Sequence, residues 1–181
     1  MTTRLIGLSG SLRGGSTNRK LLREAARLFG EADYTEADLD LPLYNGDNED
    51  RDGVPGVVIT LAKQIRDADA VLISTPEYNS GISGVMKNAL DWISRTDVKP
   101  WSGKPVAVMS AAAGRAGGVR GQSMLRHCMT PFRVRLVPGP EIGVADARNQ
   151  FDEGGRLTSD LYQKSLGDLM QALRREIERG A

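Results

Sequence analysis

Ser9-Gly10-Ser11-Leu12-Arg13-Gly14-Gly15-Ser16-Thr17-Asn18 lies between the short apolar run Leu5 to Leu8 and the helical pattern Leu21, Leu22, Ala25, Leu28 and Phe29. It therefore reads as the turn from a first buried strand into a first helix. A helix N-terminus presents backbone N–H groups without partners and the positive end of the helix dipole, and glycines let an anion approach the backbone closely. The same turn carries the hydroxyls of Ser9, Ser11, Ser16 and Thr17, the amide of Asn18 and the permanently charged guanidinium of Arg13. Helix capping accounts for a lone serine or threonine and a turn accounts for glycines, but neither accounts for an arginine in their midst. The stretch is read as a phosphate-binding loop.

The kind of phosphate follows from what the loop lacks. Gly10 to Thr17 has the spacing of a P-loop, but Ser16 stands directly after Gly15 with no lysine to reach the outer phosphates of a nucleoside triphosphate. The dinucleotide pattern G-x-G-x-x-G is also missing from this turn. A monophosphate held by hydroxyls and one guanidinium remains.

Outward from the loop the chain alternates strand and helix. Gly30 supplies a helix stop, and Tyr34 to Leu39 reads as a second strand. Asp40 to Gly56 is long and rich in Asp, Asn, Gly and Pro, so it is expected to be either a lid over a site or a mobile surface loop. A helix follows from Val57 to about Asp67. Ala70 to Ile73 is a continuous apolar run, as in a strand buried on both faces of a parallel sheet, and it is read as central. Its end delivers Ser74 to Gly81, followed by a helix from Ser83 to Arg95. Val106 to Met109 is a fourth strand opening into Ser110 to Gly118, then comes a helix through Met124, Leu125 and Cys128. Val134 to Val137 is a fifth strand, and Thr158 to Arg179 a closing amphipathic helix. This order predicts an α/β fold in one domain over residues 1–181, with a doubly wound, five-stranded parallel sheet whose ligands bind beyond the carboxyl ends of the strands. The unusual loops beginning at Ser9, Pro76 and Ser110 all lie at such ends and are expected to line one cleft.

Composition narrows the function. The 181 residues are 40% hydrophobic, enough for a buried core, and the formal net charge of +1 gives no electrostatic reason to expect nucleic acid. One cysteine, Cys128, and one histidine, His127, leave no internal disulfide, thiolate metal cluster or multi-histidine metal site. No membrane span or signal peptide is visible, and a cytoplasmic protein is expected. There is no G-x-S-x-G elbow, so a serine hydrolase on this fold has no nucleophile.

The motifs G-S-L-R-x-x-S-x-N at Gly10 to Asn18, P-E-Y-N at Pro76 to Asn79 with K-N-A-L-D-W at Lys87 to Trp92, and G-x-x-G-G at Gly114 to Gly118 closely resemble those of the NADPH-dependent FMN reductases. These form a flavodoxin-like family that includes quinone, chromate and azo-dye reductases. Ser83 stands where a proline is common and Met86 where a leucine is common, which bears on the tilt of the helix they open. The resemblance implies tightly bound FMN, a dimer or tetramer, and site residues that follow the motifs. Ser9, Ser11, Arg13, Ser16 and Asn18 take the FMN phosphate. Pro76, Glu77, Tyr78 and Asn79 form a stiff turn beneath the isoalloxazine, and Ser110, Ala111, Gly114 and Gly117 wall its other side. NADPH or NADH donates hydride, and a quinone, chromate, azo dye or free flavin then uses the same slot in a ping-pong sequence. No protein acid or base is obliged by the sequence. The alternative is a flavodoxin-type one-electron carrier, typically far more acidic than this chain. A homodimer is expected through the Ser83 to Arg95 helix, because Val85 and Trp92 lie off the face that covers the sheet.

Overall fold

The computed structural model describes residues 2–180. Eight strands and six α-helices run in the order β1 Arg4–Ser9, α1 Thr17–Phe29, β2 Asp33–Glu36, α2 Gly46–Asp52, α3 Gly56–Asp67, β3 Ala70–Ser74, β4 Glu77–Tyr78, β5 Gly81–Ile82, α4 Gly84–Ser94, β6 Pro105–Ala111, α5 Val119–Met129, β7 Arg135–Leu136, β8 Ile142–Val144 and α6 Asp160–Glu178. The main sheet is parallel, with order β2-β1-β3-β6-β7 and β8 alongside β6 beyond the end of β7. β3 is central, as its unbroken apolar run requires. The strand order reverses between β1 and β3, which opens a crevice at their carboxyl ends.

Side-chain alternation divides the core into two layers. Ile6, Leu8, Val71, Ile73, Val106 and Val108 face Leu61, Ile65, Met86, Leu90, Ile93 and Leu125 of α3, α4 and α5. Leu5, Leu72, Ala107 and Met109 face Leu21, Leu22 and Ala25 of α1 and Leu166, Leu169 and Leu173 of α6. The stripe of α1 is buried as read from the sequence at Leu21, Leu22, Ala25 and Phe29, whereas in α5 Leu125 is buried but Met124 is exposed. Ser83 caps α4, its Oγ accepting from Met86 N at 3.2 Å. The serine that stands in place of a proline therefore starts the helix by a different device.

Several expectations need correction. β2 ends at Glu36, because its partner register with β1 closes at Gly7↔Glu36 where β1 nears its loop. The fifth strand is divided: β7 covers only Arg135–Leu136, and β8 re-enters beside β6 after Pro138 and Pro140. The passage Asp40 to Gly56 contains α2 and packs along α4. Asn45 caps α2 through Asp47 N at 2.9 Å, and Arg95 Nε lies 2.9 Å from the Glu49 carboxylate. This passage contributes no residue to the cleft described below. Its packing also gives Trp92 of α4 partners within this chain. Trp92 is only 2% exposed. Its Nε1 donates to Pro42 O at 2.7 Å and its ring meets Tyr44 edge-on at 5.0 Å. Val85, the other residue off the sheet-covering face, is only partly buried.

Candidate functional site

Loops following β1, β3, β6 and β8 meet at the carboxyl ends of the sheet around a cavity of about 360 Å³. Ser11, Arg13, Gly15, Ser16, Thr17 and Asn18 form one side, Pro76 to Tyr78 another, Ala111 to Gly114 a third, and Ala147 with Arg148 close it. A second chamber of about 330 Å³ shares Glu77, Ala112 and Gly114 with the first and adds Arg115, Gly118 and Arg120.

The first loop leaves several hydrogen-bond donors without protein acceptors among the described residues. Ser16 Oγ caps α1 by accepting from Asn18 N at 3.2 Å and Arg19 N at 3.4 Å, which leaves its own hydroxyl proton free to donate. Ser11 Oγ likewise accepts from Arg13 N at 3.4 Å. The backbone N–H groups of Gly14, Gly15 and Thr17 have no protein partner among the described residues. A Cβ at Gly14 or Gly15 would meet nothing within 4 Å. Neither glycine is demanded by packing; their bareness leaves the loop's backbone open to approach. Among the described residues neither Arg13 nor Arg148 makes an ion pair, and both are exposed. Gly10 has a different purpose. A Cβ there would stand 2.6 Å from Thr75 Oγ1 and 2.8 Å from Ser83 Oγ, so only glycine lets the first loop lie against the second.

Not every residue expected at the site faces it. Asn18 borders the cavity, but its amide is spent on structure: Nδ2 donates to Ala111 O at 2.9 Å, and Oδ1 accepts from Ser74 Oγ at 2.8 Å and Ala111 N at 3.0 Å. One buried side chain thereby ties the ends of β3 and β6 to the first loop. Ser9 turns inward, its Oγ donating to Ser11 O at 3.2 Å. Ser110 Oγ donates to Gly117 O at 2.6 Å beneath the third loop. Gly117, at φ 59°, packs against the backbone of Gly143, where a Cβ has no room. Asn79 does not line the cavity; with Ser80 it makes the two-residue turn between β4 and β5, at φ 50° and 64°. Asparagine suits such a left-handed turn position. Glu77 borders both chambers and is paired with Arg120, whose backbone N donates to Oε2 at 3.1 Å.

Ala147 and Arg148 are the contributors that sequence reading missed. They follow β8, whose three residues Ile142–Val144 are too short to stand out beside two prolines. Recognising that triplet as a strand would have flagged the loop after it by the logic that flagged the other loops.

Residues 3–149 match the family model described as NADPH-dependent FMN reductase. The chain is 42% identical over 178 residues to an NAD(P)H-dependent FMN reductase of Pseudomonas aeruginosa, covering 97% of this chain and 96% of that protein. It is 37% identical over 151 residues to a quinone reductase of Escherichia coli, covering 82% of this chain and 80% of that one. Among solved structures, a flavoenzyme NAD(P)H:(acceptor) oxidoreductase from Paracoccus denitrificans superposes with a TM-score of 0.87 at 30% identity over 98% of each chain.

Proposed function

Because the chain belongs to the NADPH-dependent FMN reductase family, we propose that its cleft holds FMN and that the enzyme passes reducing equivalents from NADPH or NADH to a quinone. Chromate, azo dyes and free flavin are further acceptors under this reading. The observation that carries it is the joining, in one cavity, of a donor-rich anion cradle with a slot walled by Pro76–Tyr78 and by small residues. The residues fit the cofactor. The hydroxyls of Ser11, Ser16 and Thr17, the Arg13 guanidinium and the free N–H groups of Gly14, Gly15 and Thr17 match a phosphate. Ala111 to Gly114 opposite Pro76 and Tyr78 match a flat ring.

When bound, the flavin supplies a ring that takes hydride from reduced nicotinamide and gives it up to an acceptor. The chain's own residues bind and orient. Arg13, Arg148 and Arg115, unpaired among the described residues, make the cavity rim positive, which favours entry of a phosphorylated cofactor and a phosphorylated hydride donor. Arg120 neutralises Glu77, so the second loop brings no bare negative charge to that rim. Ala113 and Gly114 are exposed and without bulk, which leaves the slot open to a flat molecule stacked within it. Nicotinamide and acceptor then occupy the slot in turn. Among the described residues no helix is long and apolar enough to cross a membrane, and the reading puts the protein with the reduced-nicotinamide pool of the cytoplasm.

The kinetic order tests this reading. Initial rates of the FMN-loaded enzyme, with NADPH varied at several fixed quinone concentrations, are expected to give parallel double-reciprocal lines and mutual substrate inhibition. Intersecting lines would mean that both substrates bind together, which one shared slot does not allow.

A further inference from the structure

The first turn of α5 touches both walls of the slot. Arg120 holds the second loop through Glu77, its N donating to Oε2 at 3.1 Å and its Nη1 lying 3.4 Å from Oε1. Gly121 packs on the same loop so closely that a Cβ would lie 3.3 Å from Gly81 O and 3.4 Å from Pro76 O, both backbone atoms that cannot rotate aside. Gln122 reaches the other way. Its Nε2 donates to Ser110 Oγ at 2.8 Å and to Ile142 O at 2.7 Å. Ser110 Oγ in turn donates to Gly117 O at 2.6 Å. Ser110 and Ile142 lie on β6 and β8, in register at Ser110↔Gly143, so one amide spans that strand pair and the exit of the third loop.

Gln122 is fully buried, yet its Oε1 has no partner among the described residues. A methionine would fill similar space without an orphaned acceptor, so packing alone gives no reason for a glutamine here. The reason lies in what Nε2 holds. We propose that Gln122 is a positioning residue: acting through Ser110 and Gly117, it fixes the Ala112–Gly114 wall against the Pro76–Tyr78 wall, and the first turn of α5 thereby sets the width of the slot. Gln122 does not line the cavity and acts on the ligand only through the loops. The inference rests on the flavin reading above.

The test uses apoprotein of the full chain titrated with FMN, followed by flavin fluorescence. Gln122→Met keeps volume and removes the donor, and its Kd for FMN is expected to rise about tenfold, since a loop no longer held must be ordered on binding. Amide exchange in Gln122→Met should accelerate across residues 112–118 while the core strands stay protected. Gln122→Met combined with Ser110→Ala should bind no more than about twofold worse than the weaker single variant, because the two act as one unit. FMN affinity within twofold of wild type, or multiplying losses in the double variant, would overturn the proposal even if thermal stability fell. If Gln122→Met does not fold, the Gln122 side-chain amide of the wild-type apoprotein decides. Protection from exchange over hours supports the lock, and exchange within minutes refutes it. Wild-type protein that binds no FMN would overturn the flavin reading itself, whereas wild-type binding with unchanged variant affinity sinks only the role of Gln122.

Discussion

Arg13 and Tyr34 show how single side chains divide between function and fold. Arg13 is exposed and unpaired among the described residues, in a loop already tied down by Gly10, Ser9 and Asn18. Its removal should therefore leave stability nearly unchanged. Arg13→Ala is expected to weaken FMN binding by roughly tenfold to a hundredfold, the loss of one charge-assisted phosphate contact of about 1.5 to 3 kcal/mol. Titration with FMN checks it, and unchanged affinity would take Arg13 out of the phosphate site. Tyr34 works in the opposite sense. Its ring lies over β1 so closely that a Cβ at Gly7 would stand 2.9 Å from its Cζ, which explains a glycine inside a buried strand. Its hydroxyl is buried without a partner among the described residues. Burial first, and then the Glu36 carboxylate, push the phenol above its ordinary range, with Arg23 and Arg19 opposing. The fold thus keeps a proton that the unfolded chain releases above about pH 10. Tyr34's contribution is intact below that pH and is lost as pH climbs from about 10 toward the raised value. Tyr34→Phe should equal or exceed wild-type stability at pH 8, by up to about 1 kcal/mol from removing an unsatisfied hydroxyl, and its advantage should widen at pH 10.5. Urea unfolding at the two pH values measures both effects; an advantage that shrinks with pH would refute the assignment.

The element whose behaviour was hardest to foresee is the passage from Leu41 to Asp52. Its polar, turn-rich composition gives no period, yet Asn88 of α4 pins it twice, accepting from Tyr44 N at 2.9 Å and donating to Pro42 O at 3.0 Å. Asn88→Ala is expected to cost about 1 to 3 kcal/mol of stability and to open residues 41–53 to limited proteolysis while leaving FMN affinity intact. Cleavage at the wild-type rate would show that Trp92 and Glu49 hold the segment alone. The contrast between elements explains what the sequence made legible. α1, α3, α4 and α6 carry apolar stripes long enough to declare their period, and β3 and β6 are continuous apolar runs. β4, β5, β7 and β8 have only two or three residues each, so pairing with a neighbour, and no local pattern, makes them strands. The loop after β1 was legible as a donor-rich turn at the cleft because its chemistry is contiguous. Arg148 was hidden because β8 was. The structural duties of Asn18 and Ser110 were also hidden, since a hydrogen-bonding side chain at a site motif looks the same whether it faces ligand or loop.

At the scale of the whole molecule, a nearly neutral chain of net charge +1 gathers Arg13, Arg148 and Arg115 around one cavity at the carboxyl ends of a parallel sheet. The even overall charge says little about partners, whereas three cations without an ion pair among the described residues at one rim suit the anionic cofactor proposed above. Buried amides on two helices, Asn18 of α1 and Gln122 of α5, join that cavity's loops to the sheet and make the site a property of the whole fold. Whether this cavity holds FMN and carries reducing equivalents from nicotinamide to a quinone is decided by one anaerobic spectral titration. Purified protein, reconstituted with FMN and freed of excess, should be yellow, lose its visible absorbance on addition of NADPH or NADH, and regain it when a quinone is added. Protein that retains no FMN, or whose bound flavin keeps its colour in the presence of both reduced nicotinamides, would rule this function out.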